Sequence, residues 1–314
     1  DGGMNILLTG GTGFIGSLLL PTLLGPTPHD DEHRVTVLTR RPAKFALKHQ
    51  AAIDRGQLRI IGTLKELTED DAYDAVINLA GEGIADKPWS KQRKQELHDS
   101  RITLTHSLVQ WMGLARRKPK VLISGSAIGW YGNQGDKILE EGALPHHEYV
   151  HDLCRDWENA AANAEAMGVR VCLLRTGVVI GSGGGMLRKL LPLFGLGLAG
   201  QLGSGQQYLS WVSLTDVVHI ILRLLNDSEL RGAFNATGPR PVTNAEFTQT
   251  LAKLLRRPAF LRLPASVLKL AMGEMSTLLL DGQRVVPSRL LQAQYRFQHA
   301  SLDEALRAAL AGRA

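Results

Sequence analysis

The sequence predicts an α/β protein: a doubly wound parallel sheet with a smaller C-terminal lobe. Two observations carry that reading. Short apolar runs alternate with stretches of helical spacing over residues 4–176, and the first run ends on a glycine cluster that opens a helix. Strands that return in the same direction need a covering helix between them, so the alternation implies right-handed crossovers and parallel pairing.

Residues 4–9 (MNILLT) form a continuous apolar run, as a strand buried on both faces should. Residues 14–24 follow with helical spacing and stop at Gly25-Pro26, a helix-terminating pair. Residues 34–38 (RVTVL) are β-branched and read as the second strand, with further strands at 58–61 and 75–79. A long helical pattern covers 89–111, a strand 121–124, a helix 151–167, and the run 169–174 closes the series. After Thr176 a glycine-rich stretch, 181–205, precedes helical segments near 217–225, 244–255 and 266–272, then an amphipathic turn at 302–310. The expected division is a Rossmann-type domain over 4–176 with a returning segment near 206–238. The smaller substrate lobe takes 177–205 and 239–314, over the carboxyl edge of the sheet where ligands bind in such folds.

The chain has 314 residues, enough for a core of ordinary size, and its 44% hydrophobic and 21% charged residues are those of a soluble globular protein. No apolar run approaches the roughly 20 residues that cross a bilayer, and the start is not read as a signal peptide. Cys154 and Cys172 lie in different elements and form no CxxC pair, so they read as buried thiols in a reducing cytoplasm. Basic clusters at Lys87, Lys91, Arg93 and Lys94, and at Arg116, Arg117, Lys118 and Lys120, are interspersed with acids, and aromatics are only 5%. Nucleic acid and membrane are therefore not expected as partners, a small molecule is, and a homodimer is left open.

Glycines at Gly10, Gly13 and Gly16 sit between a strand and a helix, the context that makes such a motif specific for a dinucleotide. Gly10 permits the tight turn, Gly13 lets backbone approach a pyrophosphate, and Gly16 allows close helix–strand packing; the amides opening the helix then face the phosphates. NAD-selective sites place an acid at the end of the second strand. This chain has Thr39-Arg40-Arg41 there, its nearest acids (Asp30, Asp31, Glu32) lying ahead of the strand. Guanidinium suits a 2′-phosphate, so the expected cofactor is NADP, with Arg40 as its ligand and Arg41 in solvent. On the helical pattern 89–111, Arg101 falls within a stripe formed by Leu97, Leu104, Leu108 and Trp111. A guanidinium on that side needs a partner, either a cofactor phosphate or a carboxylate such as Glu82 or Glu96.

Over nearly its whole length the chain resembles the extended short-chain dehydrogenase/reductases. More narrowly it is similar to their atypical "epimerase family" branch, the SDR39U1-like proteins of the NAD-dependent epimerase/dehydratase superfamily. The resemblance rests on Asn78-Leu79-Ala80-Gly81-Glu82, Trp89, Ser100-Arg101, Gly125-Ser126-Ala127-Ile128-Gly129-Trp130-Tyr131-Gly132 and Trp157-Glu158. It continues through Leu174-Arg175-Thr176-Gly177-Val178-Val179, residues 192–198, Gly203-Ser204-Gly205 and residues 282–287. It implies cofactor contacts at Gly10, Thr12, Gly13, Phe14, Ile15, Gly16, Thr39, Arg40, Leu79, Ala80 and Gly81, and at Glu96, Arg101 and Val178.

Active members of that superfamily pair a serine or threonine with a Tyr-x-x-x-Lys dyad, whose phenolate takes a proton during hydride transfer. Ser126 matches the serine and is the expected catalytic residue. The lysine place holds Cys154 and the tyrosine place Val150; Tyr149 is one residue early, a rotation of about 100° on a helix. Glu82, Tyr131, Glu141 and Cys154 are weaker acid–base candidates: Cys154 reads as core, Tyr131 as a loop cap and Glu141 as surface. The ten histidines, His146-His147 included, are read as showing neither HExxH nor paired Cys/His spacing, so no metal is expected, and no GxSxG elbow points to a hydrolase. The expected function is an NADP-dependent oxidoreductase or epimerase acting on a small polar or nucleotide-linked substrate. The alternative is a non-catalytic NADP-binding sensor that has lost its dyad.

Overall fold

The computed structural model describes residues 3–27, 31–81 and 83–312, so Asp30 and Glu82 lie outside the described residues. Its strands are β1 Asn5–Thr9, β2 Arg34–Leu38, β3 Leu58–Ile61, β4 Ala75–Asn78, β5 Val121–Ala127, β6 Ile138–Leu139 and β7 Arg170–Thr176. They continue as β8 Val178–Ile180, β9 Tyr208–Leu209, β10 Trp211–Ser213, β11 Gly232–Ala236, β12 Val242–Thr243 and β13 Arg284–Val285. Seven of them make one parallel sheet in the order β11-β7-β5-β4-β1-β2-β3. The order reverses between β1 and β4, and a ligand crevice opens at the carboxyl ends of strands at such a reversal.

Helices α1 Gly16–Leu24, α2 Pro42–Lys48, α3 Gln50–Asp54, α4 Lys91–His98, α5 Leu104–Leu114 and α6 Tyr149–Ala162 belong to the first half. The rest are α7 Gly185–Gly195, α8 Leu214–Asn226, α9 Asn244–Leu255, α10 Ala265–Met272, α11 Thr277–Leu280, α12 Ser288–Gln292 and α13 Leu302–Leu310. The apolar run in β1 serves two layers, because alternate side chains leave opposite faces. Ile6 and Leu8 pack with Leu19, Leu20 and Leu23 of α1 and with Ile220, Ile221 and Leu224 of α8. Leu7 packs with Leu108 and Met112 of α5. A separate cluster built on Leu187, Phe194, Trp211, Phe247, Leu251, Leu302 and Leu306 forms the core of the smaller lobe. No described helix is long and apolar enough to cross a membrane.

The structure corrects the sequence reading at three places. The sheet does not close at β7: β11 (GAFNA) pairs with it in parallel, and its short, glycine-led run carries no β-branched signal. The glycine-rich stretch contains a full helix, α7. The long pattern at 89–111 is two helices, α4 and α5, joined by a π-turn over Asp99–Thr103. The extra residue of that turn moves the core face on by one position, so Ile102 and Thr105 are buried. Arg101, expected within the apolar stripe, stands half-buried at its flank.

Asp216, in the first turn of α8, is fully buried and anchors the C-terminal segment. Its carboxylate accepts from Tyr295 Oη (2.7 Å), from the amides of Gln298 (2.8 Å) and His299 (3.0 Å), and from Ser213 Oγ (3.0 Å).

Candidate cofactor and substrate site

Beneath the crevice, Asn78 ties the strand ends together. Thr9 Oγ1 donates to Asn78 Oδ1 (2.6 Å), and Asn78 Nδ2 donates to Thr105 Oγ1 (2.8 Å) and Ser124 Oγ (3.2 Å). Thr105 Oγ1 in turn donates to the Arg101 carbonyl (2.6 Å), so the π-turn is fastened to β1, β4 and β5. All the side chains that meet at Asn78 are buried, and this fixes the floor on which the glycine loop rests.

The loop itself has no room for side chains where the backbone crosses. Gly10 has φ +75°, and a Cβ there would lie 2.5 Å from the Leu79 carbonyl carbon; one at Gly16 would lie 2.5 Å from the Gly11 carbonyl carbon. At Gly13 the only close atom is Gly10 O at 3.3 Å, which leaves that side of the loop open to a ligand. Phe14 turns toward the smaller lobe, where Gly181, Gly184 and Gly185 form its socket: Cβ atoms there would come within 2.9, 2.6 and 2.8 Å of the ring.

Two cavities flank the loop. One, of about 740 Å³, is lined by Gly10, Thr12, Gly13, Thr39, Arg40, Leu79, Ala80, Gly81 and Glu96 among others. The other, of about 750 Å³, carries Arg40, Arg41, Lys44 and Lys48 in its wall and no carboxylate. Arg40 is common to both. Thr39 is buried, and its hydroxyl accepts from the Arg41 amide (3.3 Å), which shapes the turn presenting the two arginines.

Of the other expected contacts, Glu96 accepts from Arg93 Nη1 (2.8 Å), whose Nη2 donates to the Gly83 carbonyl (2.7 Å). The Arg101 guanidinium lies 3.1 Å from where a Gly81 Cβ would be and 5.2 Å from the Trp157 ring centroid, beside the first cavity but in the lining of neither. Val178 opens β8 and lines neither cavity.

Beyond β5 lies a buried polar chain whose connection the sequence did not show, although Ser126 and Tyr131 were singled out in it. Ser126 Oγ donates to Glu158 Oε2 (2.5 Å), and Glu158 holds Arg175 through Nε and Nη2, both at 2.9 Å. Arg175 Nη1 reaches Tyr131 Oη (3.1 Å), and Tyr131 donates to Asn235 Oδ1 (2.6 Å). The Trp130 ring lies 3.8 Å from the guanidinium. Glu141 is not a surface residue as expected: it accepts from the Asn235 and Arg289 amides, and burial holds its carboxyl above the usual range. Burial and the neighbouring Glu158 push the Cys154 thiol up to about 12. Val150 packs on Gly129. Burial also raises the Tyr149 phenol; its Oη has no hydrogen-bond partner among the described residues. Asp86–Lys189 (3.4 Å) and Lys94–Glu274 (2.9 Å) bridge the two lobes across the cleft.

The NAD dependent epimerase/dehydratase family profile matches residues 6–237. The chain belongs to that family. A domain of unknown function, DUF1731, matches residues 263–309 in the smaller lobe. The chain is 40% identical to an epimerase family protein of Mycobacterium tuberculosis over 303 residues, 96% of each chain. It is 34% identical to epimerase family protein SDR39U1 of Mus musculus over 310 residues, 97% of this chain and 99% of that one. Among solved structures, the human epimerase family protein SDR39U1 with NADPH superposes with a TM-score of 0.85 at 30% identity, covering 98% of this chain and 99% of that one.

Within this family fold, one feature of the sequence escaped the histidine reading. His147-Glu148-Tyr149-Val150-His151 has HExxH spacing, and its two histidines meet Asp152 at the start of α6, with one ligand atom from each residue within 4.8 Å of the others. The spacing was the available signal. Arg175, Asn235 and Glu141, by contrast, stand far apart in sequence with nothing to link them before the sheet order is known.

Proposed function

We propose that the chain is an NADP(H)-binding oxidoreductase or epimerase of the extended short-chain dehydrogenase/reductase type, acting in the cytoplasm on a small polar or nucleotide-linked substrate. The observation that carries this reading is a glycine cradle, closed to a Cβ at Gly10 and Gly16 and open at Gly13, beside a cavity walled by Arg40, Arg41, Lys44 and Lys48. The diphosphate settles on the amides that open α1, and Arg40 meets the 2′-phosphate. The NADPH of the human SDR39U1 structure supports this choice, and two buried free thiols suit a reducing compartment. When bound, NADP(H) supplies hydride exchange with a carbinol carbon. The chain's own contribution at that point is Ser126: because its proton is committed to Glu158, its lone pairs are what it offers a substrate hydroxyl.

A second reading has its own observation. Val150 and Cys154 occupy the places of the tyrosine and lysine, and neither a thiol raised to about 12 nor the desolvated Tyr149 phenol is a ready base at neutral pH. That favours a cofactor-binding sensor. The deciding experiment is titration with NADPH and NADH, followed by a screen of nucleotide sugars and small polyols read by nicotinamide absorbance and product mass. Turnover establishes the first reading, tight NADPH binding without turnover the second, and no uptake of NADPH removes both.

A further inference from the structure

We propose that His147, His151 and Asp152 form a binding site for a divalent transition metal, with zinc as the best fit. His151 is the central ligand. It is only 2% exposed, and its Nδ1 lies 2.5 Å from the Trp130 carbonyl. A carbonyl accepts only, so Nδ1 carries a proton, and in the neutral ring that leaves Nε2 as the nitrogen with a lone pair. A ligating histidine has the same arrangement, its second nitrogen held by a backbone oxygen. His147 stands four residues earlier, its ring 4.8 Å away and steeply inclined at 85°. The three donor atoms lie within 4.8 Å of one another. Tetrahedral zinc with bonds of roughly 2.0–2.1 Å needs them closer, and the closing movement falls to His147 and Asp152, both solvent-exposed.

Local electrostatics make the carboxylate necessary. The site sits at the start of α6, the positive pole of the helix, where a cation is disfavoured. Asp152 supplies the compensating charge. Its present partner is Arg155 at 3.2 Å, with both side chains about half exposed, an arrangement worth little and easily exchanged. Two imidazoles and a carboxylate, with a fourth position open to water, select borderline divalent ions over calcium or magnesium. Glu148, the acid within the HExxH spacing, is not placed for hydrolysis. Its Oε1 accepts from the Asn133 amide (2.9 Å), and Oε2 faces His146 at 3.8 Å. The metal would therefore clamp the segment carrying His147 to α6, and through His151 to the Trp130 loop that follows β5.

The test is zinc titration of the full chain, without a histidine tag, against a chromophoric chelator, with cobalt substituted in parallel. Wild type should take a single equivalent and give the visible absorption of four-coordinate cobalt. His147→Ala and Asp152→Asn should each weaken zinc by about tenfold or more, since even outer-shell losses cost that much. NADPH titration of the same variants is the folding control and should be unchanged. Absence of uptake by wild type, or uptake that survives both substitutions, overturns the assignment.

Discussion

Ser126 gives its proton to Glu158, and the same carboxylate grips both arms of Arg175. The pair is almost wholly buried, with side-chain exposures of 6% and 7%. Removing one member strands a charge in a low-dielectric interior, which typically costs about 3–5 kcal/mol. Glu158→Ala should lower unfolding free energy by about that much in urea denaturation. A loss of under about 1 kcal/mol is the range of exposed pairs and would show the ion pair to be structurally idle. Ser126→Ala should leave NADPH affinity intact and abolish any turnover that the wild type has.

Arg40 lines both cavities, and the proposed function makes it the residue that sets the preference for NADP(H). Arg40→Ala should weaken NADPH by roughly 10- to 100-fold, the equivalent of about 1.5–3 kcal/mol for a charged hydrogen bond, while NADH changes little. Arg41→Ala should have a smaller effect. Equal losses for both cofactors in fluorescence titration would remove Arg40 from the 2′-phosphate.

Gly184 leaves no space above Phe14: a Cβ would stand 2.6 Å from the ring. Its backbone is extended, so alanine there is hindered only by that contact. Gly184→Ala should therefore push Phe14 and weaken NADPH binding, and Phe14→Leu in the same chain should recover part of the loss. A double-mutant cycle with no coupling between the two positions would contradict the contact.

Cys154 has its thiol raised by burial to about 12, and Cys172 is shifted in the same direction. Thiolate is the reactive form, so both should resist alkylation at pH 8 in the native state and react once unfolded, as followed by mass spectrometry. The sign of the linkage follows. The folded pKa of Cys154 exceeds the unfolded value, so its stabilising contribution is whole below about pH 9 and is lost as pH rises toward 12. Cys154→Ala should flatten stability against pH in that window.

Much of the dinucleotide half was legible because its signals are local. MNILLT is apolar throughout because β1 is covered on both faces, and β2 and β3 fall where patterning placed them, as do α9 and α13 outside that half. The glycine cluster was readable for the same reason: strand, turn and helix are contiguous. What escaped was non-local or broke the period. The π-turn adds one residue to a helix whose spacing otherwise looks regular, and this displaced Arg101 from its expected face. β11 has weak propensity and is a strand because β7 offers it an edge. Glu141 looks like any loop acid until the Asn235 and Arg289 amides converge on it.

The Asp216 carboxylate gathers donors from Ser213, the residue that caps its helix, and from Tyr295, Gln298 and His299 far down the chain. Trimming the polypeptide ahead of residue 295 would thus do more than discard a tail. It would leave a carboxyl group sealed inside the protein with most of its donors gone, so residues 295–299 behave as a latch on the interior and not as an appendage.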